Sequence, residues 1–242
     1  VKKITLLFAI LGLAWGVKAQ KKGSINEILY KSETTYGLNF STNAGLIGGV
    51  TIRHTRAITP KMYHYFGLDA VNIRHPKEQR STSRLSGQTF IPGKQNALFM
   101  LRPTYGREFI LFKKEAEQGV QINTHFSAGP ALGLVVPYFI EYRYDNRSQR
   151  TEQYDPAKHI LFENVVGSPG IFSGLGQSSL TFGGTVRAGI NFEFGSFKNN
   201  VTGFELGIAA DFLSNKVILM PLAENRSNFF SAYVVLFYGG RK

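Results

Sequence analysis

The stretch "SLTFGGTVRAGINFEFG", residues 179–195, alternates without a break. Leu180, Phe182, Val186, Ala188, Ile190, Phe192 and Phe194 fall on even positions, with Thr181, Thr185, Arg187, Asn191 and Glu193 between them. A period of two belongs to a β-strand with one apolar and one polar face. Whether the apolar face looks into a core or out into lipid separates a soluble protein from a membrane one.

The same alternation recurs along the chain and predicts eight strands, over 30–41, 46–57, 62–74, 97–107, 120–144, 179–195, 201–213 and 229–239. In the third strand the parity slips after Ala70, which predicts a bulge. The fifth keeps its parity through Ile122, Phe126, Leu132, Leu134, Val136, Tyr138 and Ile140. It reads either as one long strand kinked near Pro130 and Pro137 and projecting beyond a membrane, or as a hairpin turning at Gly129-Pro130. Connections after strands two, four and six are fairly short, whereas 75–96, 145–179 and 214–228 are long. Only the first hairpin, at Thr42 to Gly45, breaks this order by being tight. Short turns on one rim and long loops on the other are the pattern of outer-membrane barrels.

Residue types decide which face is wet. The polar face carries Glu33, Arg53, Asp69, Arg102, Arg187, Glu193, Glu205 and Asp211, together with Gly183, Gly189, Gly203 and Gly207. Mixed-sign charges and small residues suit a crowded lumen, while a solvent face carries many lysines and these segments have few. The apolar face is Phe, Leu, Ile, Val and Tyr with almost no charge, as lipid demands. The expected fold is therefore all-β, an eight-stranded antiparallel transmembrane β-barrel with long extracellular loops; a soluble barrel with an apolar core is the alternative. Side chains just fill the inside of eight strands. The three arginines and five carboxylates there are thus expected to pair with one another as a plug rather than line a pore.

The chain opens with "VKKITLLFAILGLAWGVKAQ", a basic start, an apolar run from Ile4 to Trp15 and an A-x-A-like site ending at Ala19. That layout predicts a signal peptide over 1–19 and a barrel over 20–242. Without Lys2, Lys3 and Lys18 the net charge falls from +12 to +9. For an exported chain this excess points to anionic lipid, lipopolysaccharide included, or to other outer-membrane or periplasmic proteins, and not to nucleic acid. There is no Cys to form a disulfide.

Catalytic signatures are absent: no P-loop, no Rossmann fingerprint and no HExxH. His54, His64, His75, His125 and His159 show no metal-ligand spacing, and no cofactor is expected. His125 and Ser127 in "THFSAG" share a strand face and look like the His-x-Ser pair of outer-membrane lipid A deacylases, but Ala128 stands where such enzymes carry Asn. Glu141 has the right parity yet lies roughly 46 Å further along a continuous strand. Two loops mix apolar and turn residues. Val217, Ile218, Leu219, Met220 and Leu222 in one, and Tyr154, Ile171 and Phe172 in the other, are the candidate partner contacts. Packing over the barrel mouth or against lipid is the competing role.

With strands and loops placed, "ITPKMYHYFGLDAVNIRHPKEQR" (58–80) and "YDPAKH" (154–159) resemble a group of small outer-membrane β-barrel proteins of the Bacteroidota. The resemblance implies an eight-stranded outer-membrane barrel with a place in that phylum's outer-membrane assembly or secretion machinery, and it prescribes no active-site residues. The expectation is a non-enzymatic accessory or scaffolding subunit of a larger outer-membrane complex. A lipid A-modifying enzyme is the first alternative and a small-solute channel the second.

Overall fold

A computed structural model describes residues 30–113, 119–145, 148–194 and 200–242. The expected signal peptide lies outside the described residues. In chain order the strands are β1 (Ser32–Ser41), β2 (Gly49–Thr59), β3 (Met62–Ile73), β4 (Ser81–Thr82), β5 (Thr89–Phe90), β6 (Asn96–Phe112) and β7 (Gln121–Pro137). They continue with β8 (Phe139–Arg143), β9 (Gln149–Gln153), β10 (Val165–Gly167), β11 (Ser179–Phe194), β12 (Asn200–Leu213) and β13 (Asn228–Arg241). Eight of these close a barrel in the order β1-β13-β12-β11-β7-β6-β3-β2, every pair antiparallel. The seam is sealed by β1 on β13, with Leu38 opposite Leu236. Closure removes both sheet edges, so the wall leaves no row of unpaired backbone groups.

The alternating side chains of β11 now have a direction. Thr181, Thr185, Arg187, Asn191 and Glu193 are buried in the lumen, while Leu180 and Phe182 are 65% and 57% exposed on the outer wall. The other strands follow suit, with Phe126, Ile208, Phe230 and Leu236 outward. An apolar outside around a charged inside is the arrangement a bilayer requires. The wall is a membrane-spanning one.

Of the two forms open to the fifth segment the hairpin is not adopted, and the single strand over 120–144 holds only as far as Pro137. β7 runs unbroken past Gly129-Pro130, pairing Pro130 with Gly184 of β11, and no hairpin forms there. Prolines are rare inside sheets because they cannot donate to the ladder. Here the β6–β7 register stops at Leu101–Leu132 and resumes at Tyr105–Ala128, which sets Pro103 opposite Pro130. Opposing the two residues that lack an N–H confines the loss to one interruption instead of two. Beyond Pro137 the chain leaves the wall, and β8 joins β9 and β10 in a separate three-stranded sheet above the loop rim.

The bulge expected after Ala70 does not form. β3 keeps its register through Val71–Gly49 on one side and Ile73–Leu98 on the other, and the β2–β3 shift lies instead between Ala57 and Thr59. What changes after Ala70 is the chemistry of the lumen. Val71 and Ile73 point inward like Asp69, but into an apolar cluster with Leu98, Met100, Ala131, Leu213, Val217 and Leu219. This cluster closes the loop-side mouth. At the other end Tyr30, Tyr63 and Ile110 form a smaller apolar lid, with the two tyrosine rings stacked 4.7 Å apart. Both chain ends of the described barrel meet at that rim, where Lys31 N donates to Lys242 O at 2.8 Å.

Candidate functional site

Between the two apolar closures lies a belt of buried charge. Arg53 reaches Glu33 at 3.2 Å and Glu205 at 3.4 Å, and Arg102 reaches Asp211 at 2.5 Å. Arg187 pairs with Asp69 and, at 3.2 Å, with Glu205; Arg241 pairs with Glu33 at 2.8 Å and with Glu193. Tyr233 donates its hydroxyl to Glu205 at 2.6 Å. Asn123 donates to Glu108 at 2.8 Å and to Glu193 at 3.0 Å. Charges at this depth are tolerable only when paired and hydrogen-bonded, and neighbouring strands supply those partners. The five carboxylates and three arginines expected in the lumen are all there, joined by Glu108 and Arg241. Both lie beyond the strand ends that the sequence predicts at 107 and 239. The signal for them was parity: Glu108 continues the inward row of Arg102 and Thr104, and Arg241 that of Val235 and Phe237.

His125 and Ser127 share a face, as expected, but that face is the lumen and not the lipid side a lipid A-modifying enzyme would use. The imidazole is fully buried, stacked on Tyr65 at 4.5 Å, with Nε2 3.4 Å from Glu205. Ser127 Oγ finds no hydrogen-bond partner among the described residues, so no base is aimed at it.

The loop side is built as a platform. Tyr138, Ile140, Tyr142, Tyr154 and Val165 from the three-stranded sheet and its flanks pack with Phe90 and Ile91 into a core of their own. Ser83 Oγ donates to Val165 O at 2.6 Å, and Ser86 Oγ donates to Val166 O, so the 74–95 connection is tied to β10. Lys94 and Glu78 form a buried pair 2.5 Å apart; burial pulls the Lys94 ammonium below its ordinary pKa against the raising effect of Glu78. Within "YDPAKH", Asp155 Oδ1 accepts from Ala157 N at 2.9 Å and His159 Nδ1 accepts from Asp155 N at 2.8 Å. That turn sets the His159 ring edge-on to Tyr142 at 4.7 Å. Glu152 accepts from Tyr144 Oη at 2.6 Å, and this bond, ahead of the one from His159, holds the carboxyl below its usual range.

The candidate contact residues separate into three groups. Val217 and Leu219 are buried in the mouth cluster and Tyr154 in the platform core, so these three have no free surface for a partner. Ile171 packs against the platform core, and Phe172 stacks on Phe99 of the outer wall at 5.5 Å, which places it towards lipid. Ile218 and Leu222 are exposed, Leu222 to 74%, and Met220 is half-buried. Alternate residues of the 217–222 run thus point down into the barrel and up out of it. Asn225 holds that geometry: its Oδ1 accepts from Leu219 N at 2.8 Å and Met220 N at 3.1 Å, and its Nδ2 donates to Met220 O at 2.8 Å and Ala223 O at 2.9 Å. Missing from the sequence-level set are Ile160, Leu161 and Phe162, consecutive, apolar and exposed at 73%, 58% and 41%. Their signal was the apolar run itself, "HILF", directly after the "YDPAKH" turn.

Fold and lumen together define a small membrane β-barrel of the outer-membrane type, filled inside and built up on its loop rim. No family model and no curated protein matches the chain. Among solved structures it is similar to the attachment invasion locus protein Ail of Yersinia pestis, with 10% identity, 88% of this chain and 99% of that one covered, and a TM-score of 0.38. It is also similar to the N-terminal β-barrel domain of Pseudomonas aeruginosa OprF, with 10% identity, coverage of 88% and 98%, and a TM-score of 0.34. A third is Neisserial surface protein A, with 7% identity, coverage of 87% and 94%, and a TM-score of 0.33. What this chain is follows from its own wall and lumen.

Proposed function

We propose that the protein is a non-enzymatic accessory or scaffolding subunit of a larger outer-membrane assembly or secretion complex. The barrel anchors it and the platform docks a second outer-membrane or periplasmic protein. One observation carries this reading: Ile160, Leu161 and Phe162 are exposed side by side on a loop held by its own packed sheet, with Ile218 and Leu222 exposed on the neighbouring loop. Apolar side chains kept in water on an ordered support are a contact surface awaiting cover. The paired charges and the two apolar closures support a rigid anchor rather than a conduit. The Bacteroidota resemblance favours that phylum's assembly or secretion machinery as the setting.

The test is a photo-crosslinking residue at position 161 in cells, followed by gentle extraction and mass spectrometry. One outer-membrane or periplasmic protein captured in stoichiometric yield, and lost when Ile160 and Phe162 beside the crosslinker are both changed to Ser, is the expected result. Recovery of the barrel alone, without adducts, overturns the proposal.

A further inference from the structure

The outer wall carries one feature that neither anchoring nor docking on the loop rim uses. Among the described residues no Asp or Glu faces outward from the eight wall strands, and the outward ionisable groups other than tyrosine are His54, Arg56, His64 and Arg107. All four lie on three adjacent strands. Arg56 is directly opposite His64, and His64 directly opposite Arg107, so the three form one row across β2, β3 and β6. Neighbouring strands are about 4.8 Å apart, which sets the two arginines roughly 10 Å from each other with the histidine between them. The next row places His54, Phe66 and Tyr105 side by side.

Like charges set side by side repel, and a sheet normally answers them with an acid across the strand. No carboxylate lies within ion-pair distance of Arg56 or Arg107 among the described residues. Neutral groups position the row instead. Arg107 Nη1 donates to His64 Nδ1 at 2.5 Å and to Tyr105 Oη at 3.0 Å. With Nδ1 held by Arg107 and Tyr105, Nε2 is the ring nitrogen left to meet a ligand. A groove of about 650 Å³ lies along this patch, lined by His54, Arg56, His64, Phe66 and Tyr105. Its depth in the membrane is set by the strand ends: Arg56 is three residues from the end of β2 and His64 two from the start of β3, at the short-turn rim. Two or three residues of strand cover roughly 7–10 Å, the layer where hydrocarbon gives way to headgroups. Arginine facing lipid is costly at the midplane and tolerated near the interface.

We infer that Arg56, His64 and Arg107 form a binding site for the phosphodiester of an anionic glycerophospholipid in the leaflet nearer the short turns. Arginine forks match phosphate oxygens, His64 Nε2–H adds a donor, and Phe66 with the flanking apolar wall receives the acyl chains. The inference rests on the wall's place in a membrane and not on what the platform binds.

Native mass spectrometry of the purified full chain in a neutral detergent tests it, with phosphatidylglycerol added and, separately, inorganic phosphate at equal concentration. The wild type is expected to retain one phosphatidylglycerol and no inorganic phosphate. The Arg56→Gln/Arg107→Gln double variant should lose lipid occupancy about tenfold or more, and Lys216→Gln on the opposite rim should keep it. Mobility on unboiled gels reports whether each variant is folded, and Arg56→Gln alone, which leaves the His64–Tyr105–Arg107 contacts intact, serves if the double variant is not. Equal lipid occupancy in wild type and folded variant overturns the inference. So does an equal loss in Lys216→Gln, which would make the effect one of overall charge, and so does retention of inorganic phosphate as strongly as lipid.

Discussion

Both faces of the barrel wall carry arginines, and the two faces treat them in opposite ways. Inside, Arg53, Arg102, Arg187 and Arg241 each reach at least one carboxylate contributed by another strand. Outside, Arg56 and Arg107 reach none among the described residues. The difference follows from surroundings. A lumenal charge is buried from bulk solvent, so the protein itself neutralises it, and its pair ties strands together. A charge at the headgroup layer can be neutralised by a ligand from the membrane, so the protein need not supply the counter-ion. Inside, charge is a structural element; outside, it is an unfilled valence.

The sharpest way to break this comparison is to remove one arginine from each face. Arg187→Met leaves Asp69 and Glu205 buried with less compensation and is expected to cost about 3–5 kcal/mol. Arg107→Met, at the interface, should change stability by about 0–1 kcal/mol. Urea unfolding in detergent, followed by gel mobility without boiling, measures both; similar losses would end the distinction between the faces. The mouth comes next. Leu219 is almost fully buried among Val71, Ile73, Leu98 and Met100, and Leu219→Ala is expected to cost about 2–3 kcal/mol in the same assay. The exposed neighbour Ile218, changed to Ala, should cost little. A smaller effect sharpens what pairing means inside. Arg102→Met and Asp211→Leu should each destabilise, and the double variant should recover about 1–3 kcal/mol relative to their sum, because two apolar residues replace a pair instead of orphaning one ion. Simple additivity would show that the two side chains do not act as a pair.

The smallest effect lies on the platform and depends on pH. Glu152 is held below its ordinary value near 4.5, chiefly by the Tyr144 hydroxyl. A depressed carboxyl pKa means the unfolded chain binds more protons. This contribution to stability is therefore complete above about 4.5 and fades as pH falls through the lower, folded value. Amide protection factors of β8 and β9, taken relative to the intrinsic exchange rate at each pH, should fall on acidification below that range, and Tyr144→Phe should remove most of the change. Protection factors that stay flat from pH 6 to pH 3 would show that this contact does not stabilise the platform.

The wall was readable in one dimension because its rule is local. Alternation at period two survives in any window of six or eight residues, and the contrast between Phe182 or Leu180 and Arg187 or Glu193 already says which face can meet lipid. Short turns and long loops told the rims apart for the same reason. Strand ends were less legible. Arg241 continues its row past Gly239-Gly240, where the apolar partners stop, and Glu108 opens the run "EFILF", which carries β6 on to Phe112; pairing with β7, β3 and β1 shows that the ladder goes on. The supposed bulge after Ala70 was a change of neighbours: Val71 and Ile73 look out of phase in the sequence because the lumen itself turns apolar there.

The candidate contacts show the limit most clearly. In "VILMPL" every side chain is apolar, so composition marks the segment but cannot assign its directions. Val217 and Leu219 go down into the barrel, and Ile218 and Leu222 go up, because Asn225 folds the loop around its amide and the mouth cluster accepts alternate residues. Local order, a period of two and the polarity of each face, is written in neighbouring residues and follows from backbone geometry. Which arginine meets which glutamate, which loop residue fills the mouth, and which three basic residues line up across β2, β3 and β6 depend on register between strands far apart in the chain. Register is set by closing the barrel, and only the closed barrel brings those side chains within reach of one another.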